Sequence, residues 1–397
     1  MDRGRRGAAR RHRRTWRRCY LAGILGRMSD RPGLPVPREA PKAGFEAPKV
    51  DDPTLLNLHD YERAAAERLS ALALSYYVSG AMDERTLHDN RAAFARRRLL
   101  PRVMTDTTVT DTAVTVLGRR WSTPLFTCPT ALHRLAHPDG ELATARAAAA
   151  RGITITLSTS ASTDMAEVAQ VGGPRWFQVY LLSDPGARRA LVERVVTEGY
   201  EALVMTVDLQ RLGRRERDIR LGFELPFDVT VPNVAVAAES APEDAADMSF
   251  VETVTWNDLE WLAGFGLPVI VKGVLHPDDA REAFARGAAA VQVSNHGGRQ
   301  LDAAIASLDA LPAVVEAAGD RGPILFDGGV RRGTDVLMAL ALGATAVGIG
   351  RPILWGLAVD GEAGVGRVLD ILTAELEHVL ALTGVPRVAD LNPDLVV

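Results

Sequence analysis

Cysteine is scarce in this chain, with only Cys19 and Cys128 among 397 residues. The two lie far apart, and Cys128 sits in an apolar strand-like segment, so neither a disulfide framework nor a metal site is expected. A reducing cytoplasm fits such cysteine usage. No apolar run approaches the length needed to cross a bilayer. Hydrophobic residues at 47% and charged residues at 24% are those expected of a soluble globular protein. The length allows two ordinary domains or one large barrel.

Acidic residues are nearly missing from the start of the chain. Residues 1–27 hold ten arginines and one acid, Asp2, a charge of +9; taken from the overall −4, this leaves −13 for the rest. A basic arm on an acidic body suggests nucleic-acid binding or, around Arg17 and Arg18, a twin-arginine export signal. The apolar stretch after those arginines is short for a signal peptide and no small-residue cleavage site follows. The expectation is a disordered extension, with Met28 a plausible alternative start, and no nucleic-acid partner. Residues 29–52, rich in proline, glycine and charge, read as linker. Residues 53–397 are expected to form one domain.

Between Pro124 and Pro352 a short apolar run, a polar or glycine-rich turn and an alanine-rich helical stretch alternate eight times. The runs are 125–128, 154–157, 176–180, 202–206, 268–272, 290–294, 324–327 and 346–350. Short continuous apolar runs alternating with helices indicate buried parallel strands, and eight of them indicate an α/β fold, the (β/α)8 barrel. The runs end in polar groups: Pro129-Thr130, Ser158, Gln178 and Tyr180, Thr206 and Asp208, Lys272, Ser294 through Arg299, Asp327 through Arg331, and Gly350-Arg351. In a barrel those ends converge on one face, where active sites sit. Singly, each has a bland alternative: Lys272 as a solvated strand end, Asp208 as a helix cap, Arg351 as a surface charge.

Residues 53–100 read as helices that precede the barrel. Leu58, Tyr61, Ala65, Leu69 and Leu72 recur at helical spacing over 58–74, and a break is expected at Tyr76-Tyr77-Val78-Ser79-Gly80. The stretch 222–252 has no clear periodicity and an acidic cluster at Glu239, Glu243, Asp244 and Asp247. It is expected to be a long mobile loop after the fourth barrel strand, a kind of loop that often serves as a lid.

The segment Val293-Ser294-Asn295-His296-Gly297-Gly298-Arg299 sets a histidine and an arginine three positions apart on a glycine-rich turn. A histidine exchanges a proton near neutral pH and an arginine grips a carboxylate bidentately, which suggests chemistry at the alpha carbon of a small acid. The seventh and eighth runs end in Asp327-Gly328-Gly329-Val330-Arg331 and Gly348-Ile349-Gly350-Arg351. Glycine backbone, helix N-termini and arginines there suit a phosphate. Phosphate alone also fits a barrel isomerase or a non-catalytic flavin-binding protein. Lys272 would stabilise the negative charge of a reduced flavin.

Together with Pro129-Thr130-Ala131, Phe177-Gln178-Val179-Tyr180, Thr206-Val207-Asp208, Gly213-Arg214-Arg215 and Val271-Lys272-Gly273, these motifs closely resemble the FMN-dependent L-2-hydroxy acid oxidases and dehydrogenases over residues 53–392. The resemblance implies FMN as cofactor, a 2-hydroxy acid as substrate, and oxygen or another electron acceptor as partner. It implies His296 as general base, oriented by Asp208; Arg215 and Arg299 as a carboxylate clamp; and Tyr76 and Tyr180 as hydrogen-bonding groups on the substrate. It places Pro129, Thr130, Ala131, Ser158, Gln178, Thr206, Lys272 and Ser294 about the flavin ring. Asp327 would hold the ribityl chain, with Gly329, Arg331, Gly350 and Arg351 around the phosphate. A tetramer or octamer is implied as well.

Glycolate oxidases of the family carry a bulky aromatic in the loop after the second strand, where this chain has Ser160. The smaller residue implies a substrate larger than glycolate, branched or aryl, unless a residue of the loop after the fourth strand fills the space. That loop is modest and acidic, unlike the longer insert of membrane-bound members, so no membrane attachment is expected. Oxygen as acceptor, giving hydrogen peroxide, is the first expectation; a quinone- or protein-linked dehydrogenase and a decarboxylating monooxygenase stand beside it.

Overall fold

The computed structural model describes residues 52–239, 249–251 and 253–397. The basic arm, the linker up to residue 51 and the acids Glu243, Asp244 and Asp247 lie outside the described residues. A short antiparallel hairpin, β1 (Val114–Val116) and β2 (Arg119–Trp121), precedes eight parallel strands. These are β3 (Leu125–Thr127), β4 (Thr154–Ser158), β5 (Arg175–Val179), β6 (Leu203–Thr206), β7 (Val269–Val274), β8 (Ala290–Val293), β9 (Ile324–Asp327) and β10 (Ala346–Ile349). They pair in sequence and β10 pairs back onto β3, closing the barrel. Each of the eight apolar runs has become one strand.

Side chains alternate across each strand, so every second residue points into the barrel. The inward set begins apolar and ends polar. Trp176 is followed by Gln178 and Tyr180, Val204 by Thr206 and Asp208, Ile270 by Lys272, and Leu325 by Asp327. Trp121 of the hairpin packs against Trp176 at 5.4 Å between ring centroids, tilted by 42°, and Phe126 lies 5.6 Å from Trp176, so a buried aromatic plug fills the N-terminal end. Phe126, Trp176, Val204, Ile270 and Leu325 are all buried. The polar half is thereby left at the C-terminal end, facing a single cavity.

Three helices lead in: α1 (Leu58–Arg68), α2 (Ala71–Val78) and α3 (Arg85–Ala95). The single helix expected over 58–74 is two, because Ser70 begins a new one by accepting from the Ala73 amide, and Leu69 is extended. A serine hydroxyl that can cap competes with continued helix at that point. Tyr76, Tyr77 and Val78 are helical, and the chain turns only at Ser79 and Gly80. Around the barrel follow α4 (Gly140–Ala149), α5 (Met165–Val171), α6 (Pro185–Thr197), α7 (Glu216–Leu221), α8 (Pro232–Glu239), α9 (Trp256–Ala263), α10 (Pro277–Ala285), α11 (Ser307–Ala318), α12 (Gly333–Ala341) and α13 (Arg351–Thr383).

Helix α8 corrects the expectation of a long loop over 222–252, after β6; α7 lies just ahead of that stretch. Pro232 opens α8, and the buried side chain of Asn233 accepts from the Met165 amide at 2.8 Å and donates to the Thr163 carbonyl at 3.2 Å. The pattern was obscured because α8 is only eight residues long and is held by this tertiary contact. Past the undescribed residues, Phe250 bridges to Leu182 in antiparallel fashion, with Ser183 and Val251 amides donating to Ser249 and Leu181 carbonyls.

Candidate active site

The polar end of the barrel opens into a cavity of about 790 Å³ lined by Tyr76, Thr130, Tyr180, Lys272, His296 and Arg351 among others. Its size and convergent polar groups are those of a cofactor-plus-substrate site.

His296 stands at φ +59° on the turn after β8, a left-handed conformation that aims its ring back over the barrel. Its amide donates to Ser294 Oγ at 3.1 Å and its Nδ1 lies 2.8 Å from Asp208 Oδ1. Burial lowers the imidazole pKa below its ordinary value, assisted by Lys272 and Arg215 and opposed by Asp208. The ring is therefore neutral at neutral pH, with Nε2 free to accept a proton while Nδ1 donates to Asp208. Burial would raise Asp208, but His296 and Lys272 outweigh it and hold the carboxyl below the usual range. Gly273, at φ +112°, makes room for that carboxylate: a Cβ there would lie 2.7 Å from Asp208 Cγ.

Lys272 is the only lysine among the described residues, and it is buried at 4% exposure. Burial pulls its pKa down, yet Asp208 and Asp327 together raise it above the ordinary value, so it stays charged. Tyr180 is pushed up to about 12 by burial, with Asp208 adding to the shift, and remains a hydrogen-bond donor.

Two arginines at the cavity form no ion pair within 4 Å among the described residues. Arg299 donates from Nη1 to the Tyr76 and Ser79 carbonyls at 2.7 and 2.9 Å, and its guanidinium lies over the Tyr76 ring at 5.1 Å. Burial, then the nearby Arg215, bring it down to about 10. Arg215 Nε is buried without a hydrogen-bond partner. Two repelling cations at one cavity wall call for an anion between them.

At the opposite end, α13 begins at Gly350-Arg351 with no side-chain cap on its free amides. Arg331 Nε and Gln178 Nε2 are buried without hydrogen-bond partners, Arg331 Nε lying 4.0 Å from Glu62 Oε2, and a Cβ on Gly350 would meet nothing nearer than 3.8 Å. Open backbone, a helix N-terminus and a buried guanidinium with hydrogen-bonding capacity to spare fit a phosphate; the unbonded Gln178 Nε2 and the buried lysine fit the polar edge of a flavin ring. FMN therefore suits the residues present. Asp327 is fixed by Ser294 Oγ at 2.9 Å and Gln292 Nε2 at 2.5 Å. Arg351, expected at the phosphate, also donates to the Tyr77, Gly297 and Ser79 carbonyls at 2.8, 3.0 and 3.1 Å. It thus ties α2 to the His296 turn.

Of the residues singled out in the sequence, sixteen line the cavity, while Asp208, Gln178, Thr206 and Ser294 stand behind that lining. Sequence reasoning missed Phe250, Leu354 and Cys128 as lining residues. Phe250 packs on Tyr180 at 5.1 Å, so the loop after β6 does place an aromatic beside the substrate space. It stands where no periodicity marked an inward face. Phe223, stacked on Tyr76 at 4.9 Å, was missed for the same reason. Cys128 continues the inward parity of Phe126, the one signal that could have found it.

Fold and site together define a flavin-binding barrel with an acid–base pair and an anion clamp. Residues 65–397 match the family described as FMN-dependent dehydrogenase. The chain is 47% identical to an L-lactate oxidase of Nostoc sp. (strain PCC 7120) over 352 residues, 85% of this chain and 96% of that one. It is 45% identical to glycolate oxidase 1 of Zea mays over 348 residues, 85% and 94% of the two chains. A crystal structure of a mandelate oxidase superposes with a TM-score of 0.80 at 42% identity, covering 86% of this chain and 98% of that one. The chain belongs to the FMN-dependent dehydrogenase family: it is an oxidoreductase, and FMN is its cofactor.

Proposed function

We propose that the protein oxidises an L-2-hydroxy acid to the 2-oxo acid and passes the electrons to oxygen, giving hydrogen peroxide. One observation carries this: a neutral His296 backed by Asp208 at 2.8 Å faces the same cavity as Arg215 and Arg299, which form no ion pair within 4 Å among the described residues. Arg215 and Arg299 bind the substrate carboxylate, and Tyr76 and Tyr180 donate to its oxygens. His296 Nε2 takes the proton released from the substrate, and Asp208 stabilises the imidazolium that forms. FMN, when bound, supplies the two-electron acceptor. Lys272 adds a fixed positive charge to the cavity wall, which favours anionic species formed there. Arg331, Gly329, Gly350 and Arg351 hold the cofactor's phosphate, Asp327 its ribityl chain, and Ser158, Gln178, Thr130, Thr206 and Ser294 support its ring.

The substrate is larger than glycolate, with an apolar or aryl side chain beside Ser160 and Phe250. The small Ser160 supports this size class, while Phe250, from the loop after β6, takes up part of the space that Ser160 opens and sets its limit. The catalytic unit spans 53–397 and works as a cytoplasmic homo-oligomer; the buried free thiol of Cys128 suits a reducing compartment. Among the described residues no helix is long and apolar enough to cross a membrane. Anaerobic mixing with L-2-hydroxy acids from glycolate to mandelate, followed at the flavin absorption band, tests the reading. Bleaching that recovers in air is expected; no bleaching with any member would overturn it, and fastest bleaching by glycolate would overturn the size assignment.

A further inference from the structure

Behind the cavity wall lies a buried polar cluster that the chemistry above leaves unused. His133 and Glu141 are 4% and 1% exposed, and Thr144, Ser162 and Thr163 are buried with them. The Glu141 carboxylate accepts from the His133 amide at 3.1 Å, from the Ser162 amide at 2.8 Å, from Ser162 Oγ at 2.8 Å and from Thr163 Oγ1 at 2.7 Å. One carboxylate thus clamps the loop after β3 to the loop after β4. The His133 ring is held at both nitrogens: Nδ1 lies 3.0 Å from Thr144 Oγ1 and Nε2 lies 2.6 Å from Thr130 Oγ1. Thr130 lines the cavity. Leu132, between them, is held at φ +61°, and its carbonyl accepts from Tyr77 Oη at 2.7 Å.

A neutral imidazole donates at one nitrogen and accepts at the other. When Nδ1 carries the proton, Nε2 accepts from the Thr130 hydroxyl, which then shows lone pairs to the cavity. When Nε2 carries it, Thr130 accepts from the ring and turns its own hydrogen to the cavity. The ring behind the wall therefore governs the polarity of the group in front. Burying so many polar atoms costs free energy unless all are paired, and here the carboxylate and both ring nitrogens are.

We propose that His133 is a positioning residue that sets the orientation and hydrogen-bond polarity of the Thr130 hydroxyl toward the flavin, with Glu141 fixing the loop that carries both. The proposal rests on the placement of Thr130 at the flavin ring. It is distinct from a packing role because it acts through one nitrogen, Nε2.

The two amide substitutions separate the nitrogens. H133Q places an amide near the Nε2 position and retains the contact to Thr130, whereas H133N reaches only the Nδ1 position and retains the contact to Thr144. The apoproteins are titrated with FMN by fluorescence quenching, and the flavin absorption band of each complex is recorded. H133N and T130V are each expected to weaken FMN binding about tenfold and to shift the band alike. H133Q is expected to stay near wild type, and the H133N/T130V double variant to be no weaker than T130V alone. An H133N effect that adds fully to T130V, or FMN binding and a band unchanged in H133N, would overturn the proposal. If H133N does not fold, T144V decides: its band shift must vanish in the T130V background. Should T130V itself bind FMN unchanged while the wild type binds normally, the placement of Thr130 fails; wild-type apoprotein that takes up no FMN would defeat the cofactor reading itself.

Discussion

Replacing Asp208 with asparagine keeps the shape of the site and removes one charge. In the present geometry the carboxylate is 2.8 Å from His296 Nδ1, which puts the two charge centres about 4 Å apart once the ring is protonated. At an effective dielectric constant of about 20 that attraction is worth about 4 kcal/mol. It is present only when His296 holds a second proton, so its loss falls on the barrier and slows the step about 10³-fold. Substrate affinity should change little, because Arg215 and Arg299 are untouched. Lys272 also loses one of the two carboxylates that keep it charged, which adds to the deficit. The assay is anaerobic stopped-flow reduction of the bound flavin across substrate concentration, giving the limiting rate and Kd separately. A limiting rate within tenfold of wild type would refute the assignment of Asp208, and a Kd effect without a rate effect would make it a binding residue.

Three further outcomes follow from the same geometry. G273A sets a Cβ 2.7 Å from Asp208 Cγ at φ +112°, so it should destabilise the protein by about 1–3 kcal/mol and slow flavin reduction; a normal melting temperature and rate would contradict this. Because His296 lies below its ordinary value and must be neutral to act, kcat/KM should stay level through the ordinary histidine range and approach a tenfold fall per unit only at lower pH. Its depressed pKa also means that the neutral ring's contribution to stability is present above the unfolded value and is lost as pH falls through the folded one, a trend that acid melting curves would show. Finally, S160W should narrow the substrate space and F250A widen it, moving the preference between lactate and mandelate in opposite directions by about tenfold each; parallel shifts in a substrate panel would remove both residues from the pocket.

The repeated apolar runs, their polar endings and the His296 turn were enough to define the barrel and most of its site, because strand alternation puts chemistry and core on the same inward face. That is why Lys272, Tyr180 and Asp208 were legible: each follows an inward apolar residue by two or four positions. Phe250 and α8 were not legible, since each depends on contacts distant in sequence; the break at Ser70 is a local cap, Ser70 Oγ accepting from the Ala73 amide, hidden within a continuous apolar period. Phe250 reaches the cavity through its bridge to Leu182, and α8 is anchored by Asn233 on the loop after β4.

The sequence by itself determined the eightfold alternation and which residues could do acid–base and anion chemistry, for these follow from local period and side-chain type. Only the tertiary structure decided which protonation states they hold. The neutral His296, the charged Lys272 and the depressed Arg299 arise from burial and from charges brought together across the barrel mouth. Electrostatic energy depends on distance and on exclusion of water, and neither is fixed until the chain has closed on itself.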